Sequence, residues 1–87
     1  MLLSLSFLDA FPMKAELSYL DFLAIIDATL VKDSDIRYGQ HYFNVLYRIR
    51  PKIANAIRAT DLDPFFKDRV SYETEKFVKS SWRQAGQ

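Results

Sequence analysis

Pro51 stands between two stretches that each carry the apolar spacing of an α-helix, and its placement constrains the chain more than any other residue does. A proline has no amide hydrogen and holds φ near about −65°, so it ends the helix before it and suits the first position of the helix after it. Upstream, Gly39, Tyr42, Phe43, Leu46 and Ile49 fall on one side of a helix expected over 36–50. Downstream, Ile53, Ala54 and Ile57 point inward from a helix over 52–59, with Lys52, Asn55 and Arg58 outward. Gly39 inside a helix costs about 1 kcal/mol against Ala. Close approach of a neighbouring helix accounts for it, and Ala24 or Ala28 are the small residues expected opposite.

A first helix is expected over 19–31. Ser18 is a good N-cap and Asp21 takes the reciprocal position of a capping box. Leu17 and Phe22 stand where a hydrophobic staple closes, and Tyr19, Phe22, Leu23, Ile26 and Leu30 make the inward stripe. After the 52–59 helix, Asp63-Pro64 reads as a cap followed by a first-turn proline, which starts a short helical turn at Phe65 and Phe66. Ser71 caps a last helix over 72–83, with Glu73 and Glu75 in its first turn, where the helix dipole favours acids. Thr74, Phe77, Val78, Ser81 and Trp82 form its inward face, and Trp82 with Phe77 is expected to close the last helix over the second. The fold class is therefore all-α, a small bundle of about four helices. The domain spans 13–87, and residues 1–12 form an apolar arm.

In that arm, Leu3, Leu5 and Phe7 alternate with Ser4 and Ser6 in strand period until Pro12 breaks the pattern. A single short strand has no partner in an otherwise helical chain, so Leu3, Leu5, Phe7 and Leu8 are expected to mediate self-association, with a homodimer as the simplest product. Met1 and Met13 both remain open as the natural start. The arm is too short to span a bilayer, and no basic residue precedes Lys14, unlike a secretory signal. A cytoplasmic protein without membrane partners is expected.

With 87 residues the chain has room for one domain, and a chain this small buries only a little more than ~60% of its unfolded surface. Its 15% aromatic content compensates with large buried area per side chain. The absence of cysteine excludes disulfides, thiolate metal sites and a cysteine nucleophile. Net charge is +1 but uneven. Residues 1–35 hold six acids against Lys14 and Lys32, whereas 36–58 hold Arg37, Arg48, Arg50, Lys52 and Arg58 with no acid. Two readings stay open: an acidic first helix neutralises a basic second layer, or a basic face addresses a partner.

Catalytic signals are sparse. His41 is the only histidine, and its i±4 neighbours Arg37 and Val45 offer no carboxylate to orient it, so a surface histidine on a basic helix is the preferred reading. Asp61, Asp63 and Asp68 lack the glycine and terminal glutamate of an EF-hand loop, and Asp63 is better used as a cap. No metal or cofactor is expected. Two glycines cannot build a phosphate-cradling loop, and no serine has a His-Asp partner nearby in sequence. A non-enzyme is expected.

The residues Tyr38-Gly39-Gln40, Phe43-Asn44, Leu46, Arg50-Pro51, Ala54, Ile57-Arg58, Thr60, Asp63-Pro64-Phe65 and Trp82 form a pattern that resembles small uncharacterised proteins of tailed phages, cyanophages included. The resemblance covers about residues 35–83 and implies a compact early-gene or accessory protein of unknown activity; phage proteins of this size often bind and redirect a host protein. It carries over no catalytic residue.

The candidate binding face is Arg37, His41, Asn44 and Arg48 at i, i+4, i+7, i+11, continued by Lys52, Asn55 and Arg58 and flanked by Tyr38 and Tyr47. Arginine and tyrosine are enriched at protein-interface hot spots. The expected function is a non-enzymatic protein that modulates a protein partner through this face. A nucleic-acid-binding regulator using the same residues is the first alternative, although near-neutral charge and the missing helix-turn-helix turn weigh against it. A structural oligomerisation module is the second.

Overall fold

The computed structural model describes residues 17–32 and 34–85. The expected arm and its self-association residues Leu3, Leu5, Phe7 and Leu8 lie outside them, as does the choice between Met1 and Met13. Among the described residues there are four helices and no strand: α1 (Tyr19–Thr29), α2 (Tyr38–Ile49), α3 (Pro51–Ile57) and α4 (Tyr72–Ala85). The main helix contacts follow chain order, α1 on α2, α2 on α3 and α3 on α4. No helix among the described residues is long and apolar enough to cross a membrane.

Local signals set most helix starts. Ser18 Oγ accepts the Asp21 amide at 3.0 Å while the Asp21 carboxylate accepts the Ser18 amide at 2.9 Å, so two first-turn donors are satisfied reciprocally. Pro51 is the first residue of α3. Ser71 Oγ accepts the Thr74 amide at 3.1 Å, and Glu73 and Glu75 occupy the first turn of α4. Asp63 accepts the amides of Ala59 at 2.6 Å and Phe65 at 2.9 Å, closing the loop after α3.

Helix ends depart from the expected bounds. α1 stops at Thr29, because Leu30 is extended and no basic residue in the last turn supports the carbonyl end. α2 begins at Tyr38: the Ser34 hydroxyl takes the Ile36 amide into a turn, and Arg37 is extended. α3 ends at Ile57, since Ala59 adopts a left-handed φ of 62° and cannot continue a right-handed helix. Phe65 and Phe66 form a turn rather than helix, closed by the Lys67 amide on the Pro64 carbonyl.

One core joins all four helices, with Phe22, Ile26, Tyr42, Leu46, Ile57 and Val78 fully buried. Burying each such apolar side chain is worth about 1.5–3 kcal/mol. The stripe on α1 is rotated from the expected one. Ile25 is buried, Tyr19 and Leu23 are partly buried, and Leu30 is exposed. α1 carries leucine or isoleucine on nearly every side, so period alone does not select which side faces in. Val45 joins the expected inward residues of α2.

Two packing expectations are corrected. Gly39 does not meet Ala24 or Ala28, both of which are exposed. Its amide donates to the Lys67 carbonyl at 3.0 Å, and a Cβ there would overlap the Pro64 carbonyl oxygen. The glycine admits the backbone of a loop, not another helix. Trp82 closes the last helix over α1 rather than over α2. Its ring lies 5.0 Å from Phe22 and 5.9 Å from Tyr19, its Nε1 donates to the Leu17 carbonyl at 2.9 Å, and Phe77 is only partly buried.

Candidate binding face

The α2–α3 joint places one arginine inside and leaves others outside. Arg50 is 2% exposed. It caps α2 and precedes Pro51, and its guanidinium lies 4.5 Å over the Trp82 ring. There Nη1 donates to the Ile49 carbonyl and Nη2 to the Leu17 carbonyl, each at 3.0 Å. Burial lowers its pKa from the ordinary arginine value. Trp82 and Arg50 thus converge on one backbone oxygen at the entrance to α1. Sequence pattern counted Arg50 only as part of a basic run and missed this role.

The expected stripe divides on inspection of its partners. Arg37 is exposed, but its Nη1 donates to the Phe66 carbonyl at 3.1 Å and lies 3.9 Å from Asp68 Oδ1. The stretch 36–58 is acid-free in sequence, yet the fold brings an acid beside its first arginine. His41 is not a surface histidine. It is half-buried against α1, with Nε2 3.1 Å from both Thr29 Oγ1 and the Ile26 carbonyl. The Thr29 hydroxyl gives its hydrogen to the Ile25 carbonyl at 2.7 Å, which leaves lone pairs for His41, so Nε2–H is the donor in this network. His41 straps α1 to α2. Tyr38 is likewise half-buried, 6.4 Å from the Tyr42 ring, and does not flank the face.

Asn44, Arg48, Lys52, Asn55 and Arg58 are exposed. The fold unites the α3 end of this set with α2. Arg58 stands over Phe43 at 5.2 Å and over Tyr47 at 5.4 Å, and Asn55 Oδ1 accepts from its Nε and Nη2 at 3.4 and 3.2 Å. Tyr47 is 47% exposed and stacks almost parallel to Phe43. The result is a surface arginine held on two aromatic rings. The spacing from Phe43 to Tyr47 carried part of this signal. Its completion by Arg58, from the next helix, did not show in sequence.

Three tyrosines line the inner side of α1 and α2. Burial pushes the Tyr42 phenol well above the ordinary value, with Tyr19, Glu75 and Tyr38 adding to the shift. Its hydroxyl makes no hydrogen bond of ordinary length among the described residues, and the Tyr19 hydroxyl acts on it electrostatically. Tyr19 and Tyr38 are raised by partial burial first. Asp61 is exposed and Asp63 serves the loop after α3. Among the described residues no three metal-ligating side chains converge.

Comparison with known proteins yields no relative: no family model, no curated protein and no solved structure matches the chain.

Proposed function

We propose that this protein is a non-enzymatic binding protein that engages an acidic patch on a protein partner through the α2–α3 face. One observation carries the reading: Arg58 is held over Phe43 and Tyr47, at the surface, with Asn55 fixing its guanidinium. Ordering an arginine before binding reduces the side-chain entropy lost in the complex. Arginine and tyrosine together are the chemistry of interface hot spots. Asn44, Arg48 and Lys52 are exposed on the same two helices and extend the polar surface, and Arg37 and His41 are held by contacts to the Phe66 and Ile26 carbonyls. A net charge of only +1 favours a protein over bare nucleic acid as partner. The resemblance to tailed-phage proteins supports a bacterial host protein, met in the host cytoplasm, and the apolar arm supports a homodimer.

The test is a capture experiment from bacterial lysate with and without nuclease, using wild type and Lys52→Glu/Arg58→Glu. A partner that survives nuclease and is lost in the double variant supports the proposal. Capture that vanishes with nuclease, and oligonucleotide binding that falls steeply as salt rises, would instead establish the nucleic-acid reading. A partner set unchanged by the variant removes this face from consideration.

A further inference from the structure

A second surface lies on different elements. α1 and α4 leave between them an open groove of about 510 Å³. Its apolar side is Leu20 and Leu23 of α1 with Tyr72 of α4; Leu20 and Tyr72 are 73% and 70% exposed. Its other side is basic. Lys76, Lys79 and Arg83 follow Tyr72 at i+4, i+7 and i+11, so one face of α4 delivers all four to the groove. Glu75 is the single acid among the groove residues, and it acts on the tyrosine cluster of α1 and α2.

Exposed leucine and tyrosine beside three cations define the chemistry that fits. Apolar side chains of an occupant would cover Leu20, Leu23 and Tyr72, and carboxylates on its flanks would face Lys76, Lys79 and Arg83. An open trough between two helices accepts the ridge of a third helix better than it encloses a small molecule. We infer that the α1–α4 groove docks an acidic amphipathic helix of a protein partner, with leucine-type anchors between the two walls and carboxylates along α4. This site is independent of the α2–α3 face, so either can fail while the other stands.

The probe is a synthetic helix-forming peptide with leucines at i, i+3, i+4 and i+7 and glutamates flanking them, titrated into the isotope-labelled full chain and followed by backbone amide NMR. A matched peptide carries lysines in place of the glutamates. The expected result is saturable shifts at Leu20, Leu23, Tyr72 and Lys76, with the lysine peptide at least about tenfold weaker. Lys79→Glu/Arg83→Glu changes two exposed side chains and should reverse that preference, a gain that loss of folding cannot imitate. Absence of binding, equal binding of both peptides, or shifts confined to α2 and α3 would overturn the inference. So would groove shifts that follow protein concentration without peptide, which would make a second copy the occupant, or groove shifts produced by anionic phosphatidylglycerol vesicles but not by the peptide.

Discussion

Arg50 and Arg58 bracket α3, and each lies over aromatic rings, but the two pairings do opposite things. Arg50 is buried, sits 4.5 Å over Trp82 and donates to two backbone carbonyls. Arg58 is exposed, sits above 5 Å from both its rings and is steadied by one asparagine. A desolvated cation–π contact is worth about 2 kcal/mol or more, an exposed one about 0.5–1. Inside, the guanidinium solves a structural problem at the entrance to α1, where the Leu17 carbonyl needs donors. Outside, the same chemistry leaves most of its hydrogen-bonding capacity for another molecule. Between these two, burial and not residue type separates the arginine that holds the fold from the one that stands at the surface.

The sharpest way to break this contrast is Arg50→Ala. It removes two buried charged hydrogen bonds and the cover over Trp82 and leaves a cavity, at an expected cost of about 3–5 kcal/mol. Total stability for a domain of this size is of order 5–10 kcal/mol, so the variant should be largely unfolded or melt far earlier by circular dichroism. Arg50→Lys should recover little, because one ammonium cannot reproduce the forked reach to the Ile49 and Leu17 carbonyls. A variant as stable as wild type would show that the buried pairing contributes nothing.

The buried side of the comparison also predicts a pH response. Unfolded, Tyr42 ionises near the ordinary value of about 10; folded, burial holds its proton to higher pH. Its contribution is therefore complete below about pH 10. Above that the unfolded chain sheds a proton that the fold retains, and stability falls by about 1.4 kcal/mol per pH unit until the folded value is passed. Melting temperatures at pH 8 and pH 11 check this, and Tyr42→Phe should show the smaller alkaline drop. At pH 8 the same variant should be near neutral, since it removes a buried hydroxyl that has no hydrogen bond of ordinary length among the described residues and only the Tyr19 hydroxyl acting on it from farther off.

At the exposed end, Ala59→Gly should stabilise by about 0.5–1 kcal/mol, because φ of 62° is strained for any residue with a Cβ. Urea unfolding measures it, and a loss of stability would mean that the glycine's greater unfolded freedom outweighs the relief. The smallest stability effect is expected for Arg58→Ala, within about 1 kcal/mol of wild type by the same method. That variant should nevertheless lose the proposed partner. Loss of several kcal/mol would make Arg58 a second structural arginine and erase the contrast.

What was legible in the sequence were features set by neighbours in the chain. Ser18 with Asp21, Asp63 and Ser71 each satisfy amides within a few residues, and Pro51 brings to the first position of α3 no amide that needs a partner, so their roles follow from local spacing. The inward faces of α2, α3 and α4 were equally legible, because each has one clear polar side. α1 was not, being apolar nearly all round. The candidate face was legible as composition but not as geometry. Its histidine found Thr29, its first arginine found Asp68, and Arg58 found Phe43, all through contacts across the fold. The groove was not legible, because Lys76, Lys79 and Arg83 lie on the polar side of α4 and only the fold sets Leu20 and Leu23 of α1 beside them.

Gly39 shows how far such contacts reach into the order of assembly. It lies in the first turn of α2, where an amide has no carbonyl of its own helix to bond. Its hydrogen goes to Lys67, in the loop that follows α3, over a backbone approach that leaves no room for a side chain. The start of α2 therefore stays incomplete until the chain has run through α3 and folded back, although the helix itself is built from local bonds. Helix starts ordinarily exchange their amide hydrogens with solvent within the fastest class. The Gly39 amide should instead exchange with the slow, cooperative opening of the domain, because its acceptor belongs to a loop that only the folded chain brings to it.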